Sequence, residues 1–415
     1  MKSKGSVSII GGSMAGLFAA ISLKSHGFDV NIFERSAGAL NNGGAGIATH
    51  NELYDALKMA GVTLRDAMGI ESKGRLMLNI KGDVTHRVQM RQIMTSWGLI
   101  YRFLRTQIPE KNYHSAHCLQ DLSCNGDRVT AAFTNGKNIT ADWLIGADGA
   151  RSQVRNIVSP EITPIYTGYL GWRGLIDENL IPEDILAQVA LRVAFGMAPG
   201  GHWLGYLVAG PDDALNKGNR WYNWGWYRTA DDDSLEKHLT DANGKLHSTG
   251  IPGHLIRREL ITSMRREGSN FLAPQIQAII NATSSPFLQP MYDFASKQLI
   301  FERAILIGDA AFTARPHVGM GVSKAAFDAS SLAEALSQES KTTLKNWENE
   351  RLSFGKAVVQ WGRDLGSYLG PKSADAKQLE KAKHYLRPEI LLSVTAASDP
   401  KKHLKIMINT ALDTQ

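Results

Sequence analysis

The feature that most constrains this chain is a strand, a glycine turn and a helix start within its first 24 residues. Val7 to Ile10 is a short β-branched apolar run, which is typical of a buried parallel strand. Gly11 and Gly12 then allow a tight turn, and a helical period begins near Met14. The first N–H groups of a helix have no partner within the helix, so such a turn favours a pyrophosphate. Gly16 allows that helix to pack closely against the strand.

A carboxylate at the end of the next strand strengthens this interpretation. Ser13 stands where the dinucleotide-binding pattern has its second glycine, and it is small enough for a phosphate to approach. Asp29 to Phe33 forms the next apolar strand and ends at Glu34, roughly 20 residues beyond the glycines, where a carboxylate can accept hydrogen bonds from a ribose. The alternative is a surface glutamate on an ordinary strand end. The combination favours a dinucleotide site.

Composition excludes several other classes of protein. The chain has 415 residues, enough for two or three domains, and a net charge of +6 without a long Lys/Arg run, so we expect no nucleic-acid partner. The apolar runs are too short to span a membrane, and we expect no membrane association. Cys118 and Cys124 show neither metal-ligand spacing nor a disulfide framework, which favours reduced thiols in the cytoplasm and no metal site.

Two later clusters also follow apolar strands. Gly146 to Gly149 carries Asp148 between glycines, and Asp309 follows the strand Leu299 to Ile307. Open α/β sheets bind ligands at the carboxyl ends of their strands, so both carboxylates are candidate ligand contacts. After Asp309 comes a Pro- and Gly-containing loop, Ala314 to Gly321, which leads into a helix. The N-terminus of that helix can stabilise negative charge.

The chain has three motifs in the same order as the class A flavoprotein aromatic hydroxylases: the glycine turn with Glu34, the Asp148 segment, and the Asp309 segment with its Pro-containing loop. It resembles that family over nearly its whole length, to about residue 370. The resemblance implies the fold class α/β (α+β overall): a Rossmann-like FAD-binding domain, a second substrate domain built on an antiparallel sheet, and C-terminal helices. It implies domain bounds of 1–75, 99–160 and 296–370 (with a long helix) for the FAD-binding domain, 76–98 and 161–295 for the substrate domain, and 371–415 for a C-terminal helical tail.

The resemblance implies a non-covalent FAD and a set of contact residues. Glu34 would meet the ribose and Arg35 would lie near the adenosine. Tyr101 stands where the family often has an arginine, and Ser323 stands where it usually has an asparagine. The implied cofactor contacts are Gly11, Gly12, Ser13, Met14, Ala15, Gly16, Glu34, Arg35, Gly46, Ile47, Tyr101, Leu119, Asp148, Gly149, Asp309, Gly319, Met320, Gly321 and Val322.

The activity implied is that of a single-component monooxygenase. NADH or NADPH reduces the flavin, dioxygen forms a flavin C4a-hydroperoxide, and an electron-rich hydroxylated aromatic or N-heteroaromatic ring is hydroxylated. The chain has no second dinucleotide-binding pattern, which suits a transient co-substrate. Alternatives are a halogenase-like flavoprotein, whose Trp-x-Trp-x-Ile-Pro segment is missing here, and a ligand-sequestering FAD protein. We expect the basic tail with Lys401, Lys402, His403 and Lys405 to be a solvated face, with a membrane or partner contact as the alternative. A homodimer stays open.

Candidate substrate contacts come from an aromatic strand and from histidines. Arg220 to Arg228 alternates, which places Tyr222, Trp224 and Trp226 on one face and Trp221, Asn223 and Tyr227 on the other. A base near the ring would help to deprotonate a hydroxyl, and an unperturbed histidine suits that task. We therefore expect His317, beside Pro316, to be catalytic. The candidate substrate contacts are Tyr206, Trp224 and His50.

Overall fold

The computed structural model describes residues 3–38, 40, 46–64, 67–370, 375–400 and 404. Most of the glycine-rich segment around residues 41–45 and the basic residues Lys401, Lys402 and Lys405 lie outside the described residues. The prediction of a helical tail therefore concerns a segment of which only part is described.

The described residues contain twenty strands. In chain order they are β1 (Ser6–Ile10), β2 (Asp29–Phe33), β3 (Gly46–Ala48), β4 (Ile70–Ser72), β5 (Arg75–Leu78), β6 (Val84–Val88), β7 (Gln92–Ser96), β8 (Tyr113–His114), β9 (Leu119–Asn125), β10 (Arg128–Phe133), β11 (Asn138–Ala141), β12 (Trp143–Gly146), β13 (Ile165–Asp177), β14 (Val193–Ala198), β15 (Gly201–Val208), β16 (Trp221–Thr229), β17 (Phe287–Ala295), β18 (Ile300–Phe301), β19 (Ala304–Leu306) and β20 (Phe312–Thr313).

Twelve α-helices connect and cover these strands in the described part of the chain. They are α1 (Met14–Ser25), α2 (Asn51–Met59), α3 (Trp97–Arg105), α4 (Gln153–Val158), α5 (Glu183–Val189), α6 (Asp232–Leu239), α7 (Arg258–Phe271), α8 (Pro274–Ala282), α9 (Gly321–Ser337), α10 (Lys341–Leu365), α11 (Ala376–Leu386) and α12 (Pro388–Val394). None of the helices in the described ranges is long and apolar enough to cross a membrane.

A six-stranded sheet in the order β18-β19-β12-β1-β2-β8 forms the nucleotide-binding half of the molecule. Its strands are parallel except at the β18–β19 edge. Ile10 at the end of β1 is in register with Phe33 of β2 and with Gly146 of β12, which pairs with Leu306 of β19. The carboxyl ends of four strands therefore meet at one edge, as expected for a doubly wound sheet.

A second sheet of eight strands runs in the order β20-β17-β13-β16-β15-β14-β5-β6. Every neighbouring pair in it is antiparallel except β14–β5, which is parallel, so the expected antiparallel sheet is slightly mixed. One face packs in an apolar core with residues of α7 and α8, including Met264, Ile276 and Ile280. The other face looks toward the first sheet and toward the start of α9 and carries the cavity described below.

Candidate active site

The turn after β1 presents the start of α1 to a cleft of about 780 Å³. Gly11 has a φ of +104°, which a side chain would strain, and a Cβ there would lie 2.5 Å from the carbonyl oxygen of Ala147. A Cβ on Gly16 would lie 1.9 Å from the carbonyl oxygen of Gly11. Ser13 occupies the N-cap position without making a side-chain capping bond. Its hydroxyl and the first N–H groups of α1 are therefore available to an anion.

Glu34 lies at the end of β2 and lines the same cleft. Its Oε2 accepts a 2.8 Å hydrogen bond from the Gly12 N–H, and its Oε1 accepts a 2.9 Å bond from the Ser36 N–H. These bonds fix the carboxylate while each oxygen retains a lone pair. The side chain is thus positioned to accept hydrogen bonds from a ligand such as a ribose.

Asp148, after β12, has one satisfied and one unsatisfied oxygen. Its Oδ2 accepts hydrogen bonds from the N–H groups of Gln153 (2.7 Å) and Val154 (3.2 Å) at the start of α4. Its Oδ1 is buried and has no partner among the described residues. Burial raises the pKa of this carboxyl group. A buried acceptor of this kind calls for a donor, and a ligand in the cleft can supply one.

The start of α9 is the second uncapped helix N-terminus at the site. Gly319 adopts a left-handed conformation (φ +66°) that turns the loop into the helix. Met320 is the N-cap, its side chain makes no capping bond, and the first turn contains no acidic residue. Asp309 lies beside this turn, with one carboxylate oxygen 3.7 Å from the buried Nζ of Lys324. The start of α9 therefore attracts negative charge through the helix dipole, while the buried Lys324 lies between the carboxylates of Asp309 and Asp328.

Most of the predicted cofactor contacts line the cleft or the cavity next to it. The cleft is lined by Gly11, Ser13, Met14, Ala15, Glu34, Arg35, Leu119, Asp148, Gly149, Asp309, Gly321 and Val322. The cavity is lined by Gly46, Ile47, Asp309, Gly319, Met320, Gly321 and Val322. That these residues touch a cofactor stays a prediction.

Three of the predicted cofactor contacts, Gly12, Gly16 and Tyr101, are not among the residues that line the cleft. Gly12 and Gly16 shape the turn: a Cβ on Gly12 would lie 2.2 Å from the Tyr113 hydroxyl. Tyr101 is only 3% exposed, stacks on Trp97 and contacts the Tyr113 hydroxyl at 3.3 Å. Tyr101 therefore supports the floor beneath the cleft instead of facing a ligand.

The adjoining cavity, of about 630 Å³, is walled by the second sheet. Along β13 to β15 the residues that face it alternate with residues that face the apolar core of that sheet. The cavity side carries Phe195, Leu204, Tyr206, Tyr227 and Met291. The cavity and the cleft share Arg151, Gln289, Asp309, Gly321 and Val322, so they form one continuous space.

His317 and Pro316 line this cavity, as predicted, but His317 is not an unperturbed base. His317 is 2% exposed, its Nε2 lies 2.8 Å from the Tyr169 hydroxyl, and its Nδ1 has no partner among the described residues. Burial, followed by the charges of nearby groups, lowers the pKa of His317 well below its usual value. The imidazole is therefore neutral near pH 7 and is a weak base, which corrects the expectation of an ordinary histidine pKa.

Two of the three predicted substrate contacts, Trp224 and His50, do not line the cavity. Trp224 is fully buried in the core on the far side of the sheet, where its Nε1 donates a 2.8 Å hydrogen bond to Thr283. His50 is 2% exposed and bridges Ser323 (3.1 Å) and the Ala397 carbonyl (2.9 Å), so it ties α2 to α9 and the C-terminal segment. Tyr206 does line the cavity.

Sequence reasoning missed Arg173 and gave no role to Tyr227. Both line the cavity, and Arg173 Nη2 lies 2.9 Å from the Tyr227 hydroxyl. The available signals were the odd-numbered face of the aromatic strand and the one basic residue of β13, Arg173. Neither signal identifies a cavity until the register places Arg173 opposite Gly225.

The residues present fit FAD. Two uncapped helix N-termini, α1 and α9, meet a single continuous space, and the turn is too close for side chains at Gly11. Glu34 and the unpartnered Asp148 Oδ1 supply acceptors for the hydroxyl groups of a dinucleotide. Within the described residues, no group of three or more His, Cys, Asp or Glu side chains is arranged to hold a metal ion.

Comparison with known families matches two parts of the chain. Residues 166–293 match a family described as FAD binding domain-like, and residues 285–362 match a family described as FAD binding domain.

Known proteins match over most of the chain. It is 30% identical over 367 residues to 2,6-dihydroxypyridine 3-monooxygenase of Paenarthrobacter nicotinovorans, covering 88% of this chain and 91% of that relative. It is 24% identical over 358 residues to 6-hydroxynicotinate 3-monooxygenase of Pseudomonas fluorescens, covering 80% and 82%. The solved structure of 2,6-dihydroxypyridine-3-hydroxylase from Arthrobacter nicotinovorans superposes with a TM-score of 0.84 at 29% identity, covering 90% of this chain and 95% of that one. Klebsiella pneumoniae HpxO, solved with FAD and uric acid, shares the fold with a TM-score of 0.74 at 20% identity, covering 98% and 96%.

Proposed function

The chain belongs to the FAD-binding monooxygenase family, and from this premise we propose that it uses NAD(P)H and dioxygen to hydroxylate a small hydroxylated N-heteroaromatic ring. The observation that carries the proposal is the continuity of the nucleotide cleft with the aromatic cavity through Asp309, Gly321 and Val322. A long dinucleotide and a small flat ring can occupy such a space together. The relatives named for 2,6-dihydroxypyridine and 6-hydroxynicotinate support a pyridine-like substrate.

The residues of the cleft would hold the cofactor mainly through backbone groups. The start of α1 and Ser13 suit the pyrophosphate, Glu34 suits the ribose, and Asp148 and Asp309 suit further hydroxyl groups. The start of α9 would stabilise negative charge on a flavin ring bound beside it. When bound, FAD supplies the redox chemistry, taking reducing equivalents from NAD(P)H and activating dioxygen for transfer of one oxygen atom to the ring.

The cavity would hold and shield the substrate. Phe195, Leu204 and Met291 give apolar walls that exclude water from the reacting ring. The neutral His317 offers a hydrogen-bonding nitrogen at Nδ1 without adding charge. Tyr206, opposite Asn223 in the sheet, adds a hydroxyl group on the same wall.

A direct test supplies the FAD-loaded protein with 2,6-dihydroxypyridine or 6-hydroxynicotinate and follows NADH and NADPH oxidation. We expect at least one ring to stimulate NAD(P)H consumption and to gain an oxygen atom from isotopically labelled dioxygen, detected by mass spectrometry. Ring binding without flavin reduction would favour a ligand-sequestering FAD protein. A halogenated product in the presence of halide would favour the halogenase-like alternative.

A further inference from the structure

Part of the cavity wall comes from the C-terminal end of the described chain and not from the second sheet. Thr395 and Ala396, which follow α12, are among the residues that line the cavity. His317 and Gly319, in the loop before α9, line it too. We call α12 together with residues 395–397 the C-terminal wall. The cavity is therefore bounded by the second sheet, by this loop and by the C-terminal wall.

A buried arginine joins the C-terminal wall to the second sheet. Arg75 of β5 is 2% exposed and lines the cavity. Its guanidinium donates hydrogen bonds to the main-chain carbonyls of Leu392 at 3.0 Å, of Thr395, and of Ala396 at 2.7 Å. The last carbonyls of a helix have no partner within the helix, and a cation beside them is favourable. Arg75 therefore supplies the donors that the C-terminal end of α12 lacks.

The acceptors of Arg75 within the described ranges are all neutral oxygens. Besides the three carbonyls, Nη2 donates to Oε1 of Gln92 at 3.0 Å, and the Gln92 amide in turn donates to the Thr49 carbonyl. A buried guanidinium is costly unless its N–H groups have acceptors. Displacing the C-terminal wall would leave this buried charge with one acceptor. Arg75 therefore holds the wall in place.

The C-terminal wall is also fastened to the loop that carries His317. The Ala396 N–H donates a 2.7 Å hydrogen bond to the His317 carbonyl. Ala396 has a φ of +46°, a left-handed conformation that is uncommon for alanine and persists only where surrounding contacts impose it. A Cβ added at Gly319 would lie 2.5 Å from the Ala396 Cβ, so wall and loop are in close contact. The wall therefore fixes the position of this loop.

Two further contacts join the C-terminal wall to α9 and to the cavity face of the sheet. The Ala397 carbonyl lies 2.9 Å from Nε2 of His50, and Nδ1 of the same imidazole lies 3.1 Å from the Ser323 hydroxyl of α9. Leu392 of α12 packs in one apolar cluster with Phe195 of the cavity lining. The wall thus contacts the sheet, the loop and α9 at once, and it can move only if all three contacts are lost.

We propose that Arg75 is a positioning residue of the active site, which keeps the C-terminal wall closed over the ring cavity and the loop of His317 in its place. This inference rests on the proposed function, because the cavity that the wall closes is the one assigned to the ring. Arg75 acts through the main chain of the wall and not on the substrate itself. The wall excludes water from the ring and from a flavin bound beside the loop. Residues 388–397 therefore belong to the site, although the sequence predicted only a helical tail there.

The test uses the FAD-loaded protein without NAD(P)H, so that no turnover occurs. Amide hydrogen exchange followed by mass spectrometry reports on the wall and the loop, and acrylamide quenching of flavin fluorescence reports on access of solvent to the cofactor. In Arg75→Gln we expect about tenfold faster exchange in residues 388–397 and 316–320, and an about threefold larger quenching constant. Binding of 4-nitrophenol, which serves as the ring probe, should weaken by about tenfold. Arg75→Lys should retain part of each property, because an ammonium group still carries three donors.

A control variant separates positioning from a general loss of stability. Arg220 is 8% exposed and pairs with Glu178, and neither residue lines the cavity. Arg220→Gln therefore removes an equally buried guanidinium at a distance from the C-terminal wall. It should leave exchange in residues 388–397 and 316–320, and the quenching constant, at their wild-type values.

A second pair of variants moves the wall without removing a buried charge. Ala396→Pro deletes the N–H that bonds to the His317 carbonyl, and proline cannot adopt a φ of +46°. Ala396→Gly keeps that N–H and adopts this φ freely. Ala396→Pro should reproduce the changes expected for Arg75→Gln, and Ala396→Gly should behave as the wild-type protein.

Three results would overturn the inference. Wild-type exchange and quenching in Arg75→Gln would show that the wall stays closed without the arginine. Faster exchange in the wall alone, with unchanged loop exchange and quenching, would reduce Arg75 to a residue of local stability. Equal changes in Arg220→Gln would trace the effect to general destabilisation. If Arg75→Gln does not fold, Ala396→Pro decides, and wild-type quenching there would contradict the proposal. Because no turnover is involved, a failed hydroxylation assay leaves these measurements interpretable, and unchanged quenching leaves hydroxylation possible.

Discussion

The cleft and the cavity are neighbours that share Asp309, Gly321 and Val322, yet they are built in opposite ways. The cleft is made largely of backbone: the starts of α1 and α9 and turns whose glycines leave no room for a Cβ. The cavity is made of side chains that project from one face of a mostly antiparallel sheet. The first arrangement fits a ligand common to a whole family, because main-chain groups do not change with sequence. The second lets the recognised ring change by single substitutions.

The largest expected effect tests the backbone character of the cleft. In Gly16→Ala the new Cβ would lie 1.9 Å from the Gly11 carbonyl oxygen, so the start of α1 must move away from the turn. Overpacking of about 3 kcal/mol corresponds to roughly a 100-fold loss of FAD affinity. Titration of the apoprotein with FAD, followed by flavin fluorescence, measures this affinity. Gly38→Ala is the control, since nothing lies within 4 Å of a Cβ there. Unchanged affinity in Gly16→Ala would contradict a backbone cradle.

The next effect separates the cofactor from the ring. Glu34→Gln removes the charge of a carboxylate held by the N–H groups of Gly12 and Ser36. Hydrogen bonds to a charged group contribute about 1.5–3 kcal/mol, so we expect FAD affinity to fall by about tenfold or more. At saturating FAD, binding of 4-nitrophenol should be unchanged. Glu110→Gln, at an exposed carboxylate, is the control. A parallel loss of ring binding would show that cleft and cavity are not independent.

A third comparison contrasts the two faces of the second sheet. Trp224→Phe removes a buried indole and its hydrogen bond to Thr283, so it should lower the free energy of unfolding by about 1–3 kcal/mol. It should leave ring affinity unchanged. Tyr206→Phe, on the cavity face, should change ring affinity with little effect on stability. Urea unfolding and equilibrium binding of 4-nitrophenol report the two quantities. If Trp224→Phe lost ring affinity and Tyr206→Phe did not, the assignment of Trp224 to the core face and Tyr206 to the cavity face would be contradicted.

The smallest effect concerns pH. Burial lowers the pKa of His202 to about 3, and that of His317 also lies below its usual value. The unfolded chain therefore binds more protons, and stability is lost as pH falls below about 6.5, by roughly 1.4 kcal/mol per unit for each histidine. Urea unfolding at about pH 7 and about pH 5.5 should show the loss. His202→Gln should remove only part of this loss, because burial also lowers the pKa values of His50, His114 and His238. If the loss is the same in His202→Gln, another group is responsible.

Local sequence patterns were sufficient to predict the first strand, the first helix and the strand-end carboxylates of the nucleotide-binding half. The sequence predicted that Val7 to Ile10 forms a strand, that a helix begins near Met14, and that carboxylates follow three strands, and the structure places each of them at one sheet edge. The aromatic strand was also divided correctly between its faces. The pattern did not show which face lines the cavity, and Trp224, which we expected there, lies in the apolar core on the other face. The alternation of residues along a strand defines its two faces, but it does not show which of the two faces is covered by helices.

The sequence by itself therefore determined the first strand, its glycine turn and the strand-end carboxylates, because each depends on residues within about 25 positions of one another. The tertiary structure decided the rest. It set Arg173 against Tyr227, which lies 54 positions away along the chain, sent Trp224 and His50 into packing roles, and made His317 a neutral imidazole. The physical reason is that a side chain's partners and its burial depend on the register between distant strands, which no local pattern encodes.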